Sequence, residues 1–456
     1  VDNYLDTTVT NLTLSNVAGD VYIRDNDGLT IVNASTAMLG SVDIRAAGLM
    51  TVADAGGVAV AANKNFTLLN IGSGNNLVID ENVSTSGTGT VTLTAGGDVT
   101  IASNAAATVT AVNADVTVTG VAVTLGTNVA DVGGADDYYD GRIVTSTGSG
   151  NVKIDASGVF STASGDAGDT VDSGIDSGGY INIDPTTVTI NGDGANNAAL
   201  NGDSYITITA TGAFTNNDII STTDASSYIT ITAASVAQNG TITTPTGAGE
   251  YVTLAATGAI TDDGTSNLIT TQILNITDAT TVGTVGSPLN TTIATFNASG
   301  VDGATYITET NGITLNNVNV DGAITVLAAL GDITATNVTT TNDDVTLTAT
   351  AGGIGVGYIS AAAISLDANT AITDADADSA IDIVGNSLTV TDAASIGAAN
   401  TLETQVATLS LSNVDGATQI VNTGTLNIAA ASALMAGTID ITSSDDLTVG
   451  AVITTS

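Results

Sequence analysis

The sequence predicts an all-β fold: one single-stranded, right-handed parallel β-helix (a β-solenoid) of about 20 coils of ~19–25 residues each. Three observations predict it. Tyr180, Tyr205, Tyr228 and Tyr251 open four near-copies of one phrase, at steps of 25, 23 and 23 residues. The phrases read Tyr-Ile-Asn-Ile-Asp, Tyr-Ile-Thr-Ile-Thr-Ala twice, and Tyr-Val-Thr-Leu-Ala-Ala. Each alternates apolar and polar residues, as a strand with one buried face does, and each is too short to bury that face alone. Second, the 43% hydrophobic content is nearly all Val, Ile, Leu and Ala, with only 4 Phe, 10 Tyr and no Trp in 456 residues. A large globular core would use aromatics to fill its interior, whereas a narrow solenoid needs only stacked aliphatics. Third, clusters of Gly, Asn and Asp separate the alternating runs, and these residues tolerate left-handed backbone and cap turns with their own side chains. The right hand is expected from the general preference of parallel crossovers.

Strand grammar starts at Val9-Thr-Asn-Leu-Thr-Leu14. Thr90-Val91-Thr92-Leu93-Thr94 is followed 25 residues on by Asp115-Val116-Thr117-Val118-Thr119. The alternation then breaks at Asp131-Val-Gly-Gly-Ala-Asp-Asp-Tyr-Tyr-Asp140, so a surface loop is expected near 130–141, and a second, rich in Gly and Asp, near 165–179. In the Tyr-led block Ile181, Ile183, Ile206, Ile208, Ile229, Ile231, Val252 and Leu254 are expected to face inward. Thr207, Thr209, Thr230, Thr232 and Thr253 should face outward. Phe214, Ala237 and Ile260, each nine residues after a tyrosine, should form a second inward row. Ile313-Thr-Leu315, Ile324-Thr-Val326, Val345-Thr-Leu347, Leu388-Thr-Val390 and Leu426-Asn-Ile428 continue the grammar, with steps tightening to about 20 residues.

Internal duplication is also visible. Leu12-Thr-Leu-Ser-Asn-Val-Ala-Gly19 matches Leu409-Ser-Leu-Ser-Asn-Val-Asp-Gly416 at six of eight positions, and Tyr22-Ile23 through Gly28 and Thr30 recurs more loosely from Tyr306 to Thr314. No shift in composition divides the chain, so 1–456 reads as one continuous solenoid. The grammar runs on to Leu447-Thr-Val-Gly-Ala-Val-Ile453 with no amphipathic helix or charged cap. The ends are therefore expected either to continue into a longer chain or to pair with another copy.

The charge is one-sided: 46 acidic against 5 basic residues, net −41, with no Lys or Arg after Lys153. Nucleic acid is excluded as a partner because phosphate contacts need basic side chains. Anionic membrane surfaces are disfavoured for the same reason, and no apolar run approaches the ~20 residues of a membrane span. Cations, calcium above all, are attracted. Acidic turns also keep a β-rich chain soluble and discourage sideways sticking. Trypsin is expected to leave residues 154–456 as one fragment even after denaturation, which a mass spectrum of the digest checks.

The chain has no His and no Cys. Disulfides, thiol chemistry, the usual zinc ligands and the commonest general base are thereby removed. Adjacent acids such as Asp136-Asp137, Asp343-Asp344 and Asp445-Asp446 sit where turns are expected, so the chain does not read as an enzyme. The candidate metal site is Asp374-Ala-Asp376-Ala-Asp378 with Asp382 four residues later, since alternate carboxylates in a loop can converge on a hard, oxygen-loving cation. The motif lacks the loop glycine and terminal Glu of an EF-hand. No cofactor is required by anything else in the sequence.

Val91-Thr-Leu-Thr-Ala-Gly-Gly-Asp-Val-Thr-Ile101, Ala323-Ile-Thr-Val326 leading to Gly331-Asp-Ile-Thr334, and the Tyr-led block resemble the β-solenoid repeat regions of bacterial surface exoproteins, the filamentous-haemagglutinin-like and autotransporter-passenger type. The likeness is one of repeat style and covers nearly all of the chain. It implies an exported, extracellular protein of the cell surface that serves in adhesion, biofilm or matrix formation. The expected role is therefore structural, a subunit stacking head to tail with copies of itself into a filament or matrix, with cell-surface or matrix components as further partners. Two alternatives stand beside it: a rod-like stalk segment of a larger adhesin, and a calcium-dependent surface-layer subunit.

Overall fold

The computed structural model describes residues 3–15, 17–33, 38–53, 57–102, 106–128, 138–139, 141–145, 150–163, 173–192, 199–264, 268–432 and 437–450. Among these the chain is a parallel β-solenoid of about 18 turns without a helix. It divides into two compact units, Val1–Glu250 and Tyr251–Ser456.

From Val42 onward each turn of the first unit is built from three strands. Phe66–Asn70, Leu77–Ile79 and Val83–Thr85 make one turn, and Val91–Thr94, Val99–Ile101 and Ala107–Ala111 pair with them one for one in parallel register. Val116–Gly120, Val123–Leu125 and Gly141–Thr145 form the next layer. The sequence pattern explains the stacking. Val91 and Leu93 are fully buried between the fully buried pairs Phe66 with Leu68 and Val116 with Val118, while the threonines between them lie outward. One strand thus buries one side chain in two, and the layers above and below complete the enclosure.

Large and small side chains alternate along part of one inward row. That part reads Val123, Phe160, Val188, Phe214, Val236, each in register with the next. All four phenylalanines of the chain are completely buried. On the outside, the rings of Tyr180, Tyr205 and Tyr228 stack nearly parallel at 4.8 and 5.0 Å. Those distances match the ~4.8 Å spacing between adjacent strands. An asparagine ladder runs the same way, with Asn217 Nδ2 donating to Asn191 Oδ1 (2.9 Å) and Asn239 Nδ2 to Asn217 Oδ1 (3.0 Å).

The expected inward isoleucines of the Tyr-led block are all buried, but one member of the second row is displaced. Phe214 pairs with Val236, which is buried, and not with Ala237, which sits beside Thr215 and is half-buried. The turn after Thr232 is one residue shorter than the turn after Thr209, so counting nine from each tyrosine slips the register by one. In a strand a one-residue slip exchanges the faces.

Two of the turns are long. The step from Val116 to its partner Val152 is 36 residues, and from Val152 to Ile181 it is 29. Of the two expected loops, 130–137, 140 and 165–172 lie outside the described residues. At the edges of the first, Tyr138–Tyr139 pairs antiparallel with Thr127–Asn128. Within the second, Gly174–Ser177 is already a solenoid strand, paired with Gly141–Thr145 on one side and Leu200–Gly202 on the other.

The second unit uses the same layers with fewer corners. Ile269–Asp278, Leu289–Val301, Ile383–Asp392 and Leu402–Ser412 are long strands, each pairing along two successive stretches of the next layer. Register shifts at Phe296/Asn297 and Leu366/Asp367 let the ladder bend without a separate turn. Removing turns shortens the step, which is 20, 21 and 18 residues from Ile313 through Ile333 and Ile354 to Ile372.

The internal duplications coincide with a repeated buried hydrogen-bond clamp. Asp25 Oδ2 accepts from the Thr7 hydroxyl (2.7 Å) and the Val9 N–H (2.9 Å), 18 and 16 residues earlier. Glu309 Oε2 accepts from the Thr291 hydroxyl (2.7 Å) and the Ile293 N–H (3.0 Å) at the same two intervals. Asn422 Oδ1 does so from Thr404 and Val406, both at 2.9 Å and again at 18 and 16. All three acceptors are fully buried. Each ties a strand to the preceding layer where the backbone bends and an N–H would otherwise lack an acceptor.

Candidate metal centre

In the second unit, Asp374 ends the strand Ala371–Asp374, and its inward side chain is 5% exposed. Its Oδ1 accepts the N–H groups of Asp376 (3.1 Å) and Ala377 (2.8 Å), closing the turn that follows. Ala377 takes a left-handed backbone, φ 55°, to complete that turn. Asp382 precedes the strand Ile383–Asp392 and is 1% exposed. One turn later, in Leu402–Ser412, lies Glu403, which is half-buried. The Asp382 N–H donates to the Glu403 carbonyl, and the Glu403 N–H donates back to Asp382 Oδ2, both at 2.9 Å.

One carboxylate oxygen from each of Asp374, Asp382 and Glu403 lies within 4.8 Å of the others. Asp374 Oδ2 and Glu403 Oε2 are buried and accept no hydrogen bond. Burial, then the carboxylates of Asp374 and Glu403, push Asp382 up to about 7, against the lowering effect of the Glu403 N–H. Burial and then the Asp374 carboxylate raise Glu403 as well.

Of the four residues the sequence nominated, the structure brings Asp374 and Asp382 together. Asp376 and Asp378 are exposed in the turn between them; the Asp376 carboxyl nonetheless lies against that of Asp374, and Asp378 Oδ1 accepts from the Ala380 N–H (2.5 Å). Glu403 was missed. The signal was the coil step: Ile383 pairs with Thr404, so the residue stacked on Asp382 is 21 positions on. The donor set is all oxygen and all anionic, which suits a hard cation and offers nothing to a soft one.

A groove of about 440 Å³ lies elsewhere in the same unit, with Thr340, Asn342, Asn386, Gln405 and Thr425 along it and no titratable side chain in its lining.

Fold and site together define a class of protein, an acidic parallel β-solenoid with side-chain ladders between its turns. No family model, curated protein or solved structure matches the chain. Among the described residues no helix is long and apolar enough to cross a membrane.

Proposed function

We propose that this chain is a secreted structural protein of the bacterial cell surface. It would be a β-solenoid subunit that stacks end to end with further copies into an extracellular filament or matrix supporting adhesion and biofilm. One observation supports the structural reading above all. Successive turns are joined by side-chain ladders, with the rings of Tyr180, Tyr205 and Tyr228 stacked at 4.8 and 5.0 Å and the amides of Asn191, Asn217 and Asn239 hydrogen-bonded at 2.9 and 3.0 Å. Each layer of a solenoid is completed by its neighbours, and end-to-end stacking of copies would continue that same repetition. The resemblance to surface exoprotein repeats supports the extracellular setting, and the ladders support a load-bearing role over a catalytic one.

Electron microscopy of the purified chain, with Ca²⁺ and again with chelator, tests this reading. Continuous fibres are expected for the wild type in both conditions. A wild-type chain that stays monomeric at high concentration overturns self-assembly and favours the stalk segment of a larger adhesin.

A further inference from the structure

We propose that Asp374, Asp382 and Glu403 form a specific Ca²⁺ site that staples two successive turns of the second unit. Three features carry it. Two of the three carboxylates are at least 95% withdrawn from solvent by the exposures given above, and Asp374 Oδ2 is buried with no hydrogen-bond donor. A buried anionic oxygen without a partner is costly, and pairing or metal coordination is the usual remedy. No partner can come from the unit's own basic residues, because no Lys, Arg or His follows Lys153. The compensating charge therefore comes from solution, as a proton or as a cation.

Geometry selects the ion. Oxygens around Ca²⁺ stand at ~2.3–2.6 Å, so opposite ligands are ~4.6–5.2 Å apart. Three oxygens within 4.8 Å of one another fit inside that sphere, and water supplies the rest of the six to eight oxygens such an ion takes (about three to five). The ligands come from two layers: Asp374 and Asp382 flank one turn, and Glu403 sits in the next, hydrogen-bonded through its backbone to Asp382. An ion held by all three would tie the layers together where the strand is interrupted between Asp374 and Ile383.

Calorimetric titration of the chelator-stripped full chain with CaCl2, at a salt concentration that suppresses diffuse ion association, tests the site. One saturable Ca²⁺ is expected, together with a rise in melting temperature. Asp374→Asn and Glu403→Gln should each weaken binding at least ~tenfold and abolish the thermal shift, since each removes an anionic ligand. Asp343→Asn/Asp344→Asn, which removes two acids from an exposed turn of the same unit, should leave both unchanged. If Asp374→Asn fails to fold, Glu403→Gln decides the matter, because that side chain is only half-buried. Wild-type affinity in Glu403→Gln, or equal loss in the Asp343/Asp344 control, overturns the proposal.

Discussion

Replacing Phe296 by alanine is expected to destabilise the second unit by about 3–5 kcal/mol, the usual range for removing a buried ring. Phe296 is completely buried, in register with Leu274 on one side and Leu315 on the other. Each layer of a solenoid contacts only its neighbours, so the loss should be local. Hydrogen exchange reads it directly: amides of the strands carrying Leu274 and Leu315 should lose about two to four orders of magnitude of protection. Phe296→Leu, which keeps most of the volume, should lose about one order or less. Unchanged protection in Phe296→Ala would mean that the ring does not bridge the two layers.

Glu309 should show the second large effect, with a pH dependence that separates it from packing. Burial pushes its carboxyl above the ordinary glutamate value of 4.5, against the hydrogen bonds from Asn311, Thr291, Ile293 and Thr310. Between 4.5 and the raised folded value, the native unit holds a proton that the unfolded chain has released. Stability therefore falls as pH rises through that window, and the full benefit is present at and below 4.5. Glu309→Ala would leave the Ile293 and Asn311 N–H groups without their acceptor, at about 1–3 kcal/mol each. Glu309→Gln should cost less and flatten the pH profile, because Asn422 already fills the matching position with an amide that donates to the Thr423 and Gly424 carbonyls. Urea unfolding from pH 4 to 8 checks both statements; a Glu309→Gln profile as steep as the wild type refutes the titration. Asp25 makes the opposite case in the first unit. Burial raises its carboxyl, but hydrogen bonds from Thr7, Val9 and Asp27 outweigh that and hold it below the ordinary 3.8. Its contribution is present above 3.8 and is lost as pH falls through the folded value.

The solenoid was legible because period-2 alternation and a near-constant step are both written in single residues. Ile206, Ile208, Ile229 and Ile231 could be placed inward by parity alone, and all four are buried. Parity fails wherever a turn changes length. That is why Val236 and not Ala237 faces Phe214, and why the corners absorbed into Ile269–Asp278 and Leu289–Val301 show in the sequence only as a shorter step. The clamp acceptors are chemically unlike one another, Asp25, Glu309 and Asn422, so the duplicated phrases around them were visible while their shared bond was not. At the candidate metal centre, Asp374 and Asp382 are close in sequence and stood out as a cluster. Glu403 joins them only through stacking of layers, which no local motif encodes.

The alternation of Val123, Phe160, Val188, Phe214 and Val236 constrains how this part of the chain can have grown or shrunk. Duplicating a turn that carries a phenylalanine would set ring upon ring and crowd one level, which close-packed interiors do not tolerate cheaply. Valine on valine is accepted, since Val123 lies in register with the equally buried Val99. Gene-level duplications of the turn carrying Phe160 or Phe214 should therefore survive only together with a neighbouring valine turn, a constraint that selection, and not the mechanism of duplication, imposes.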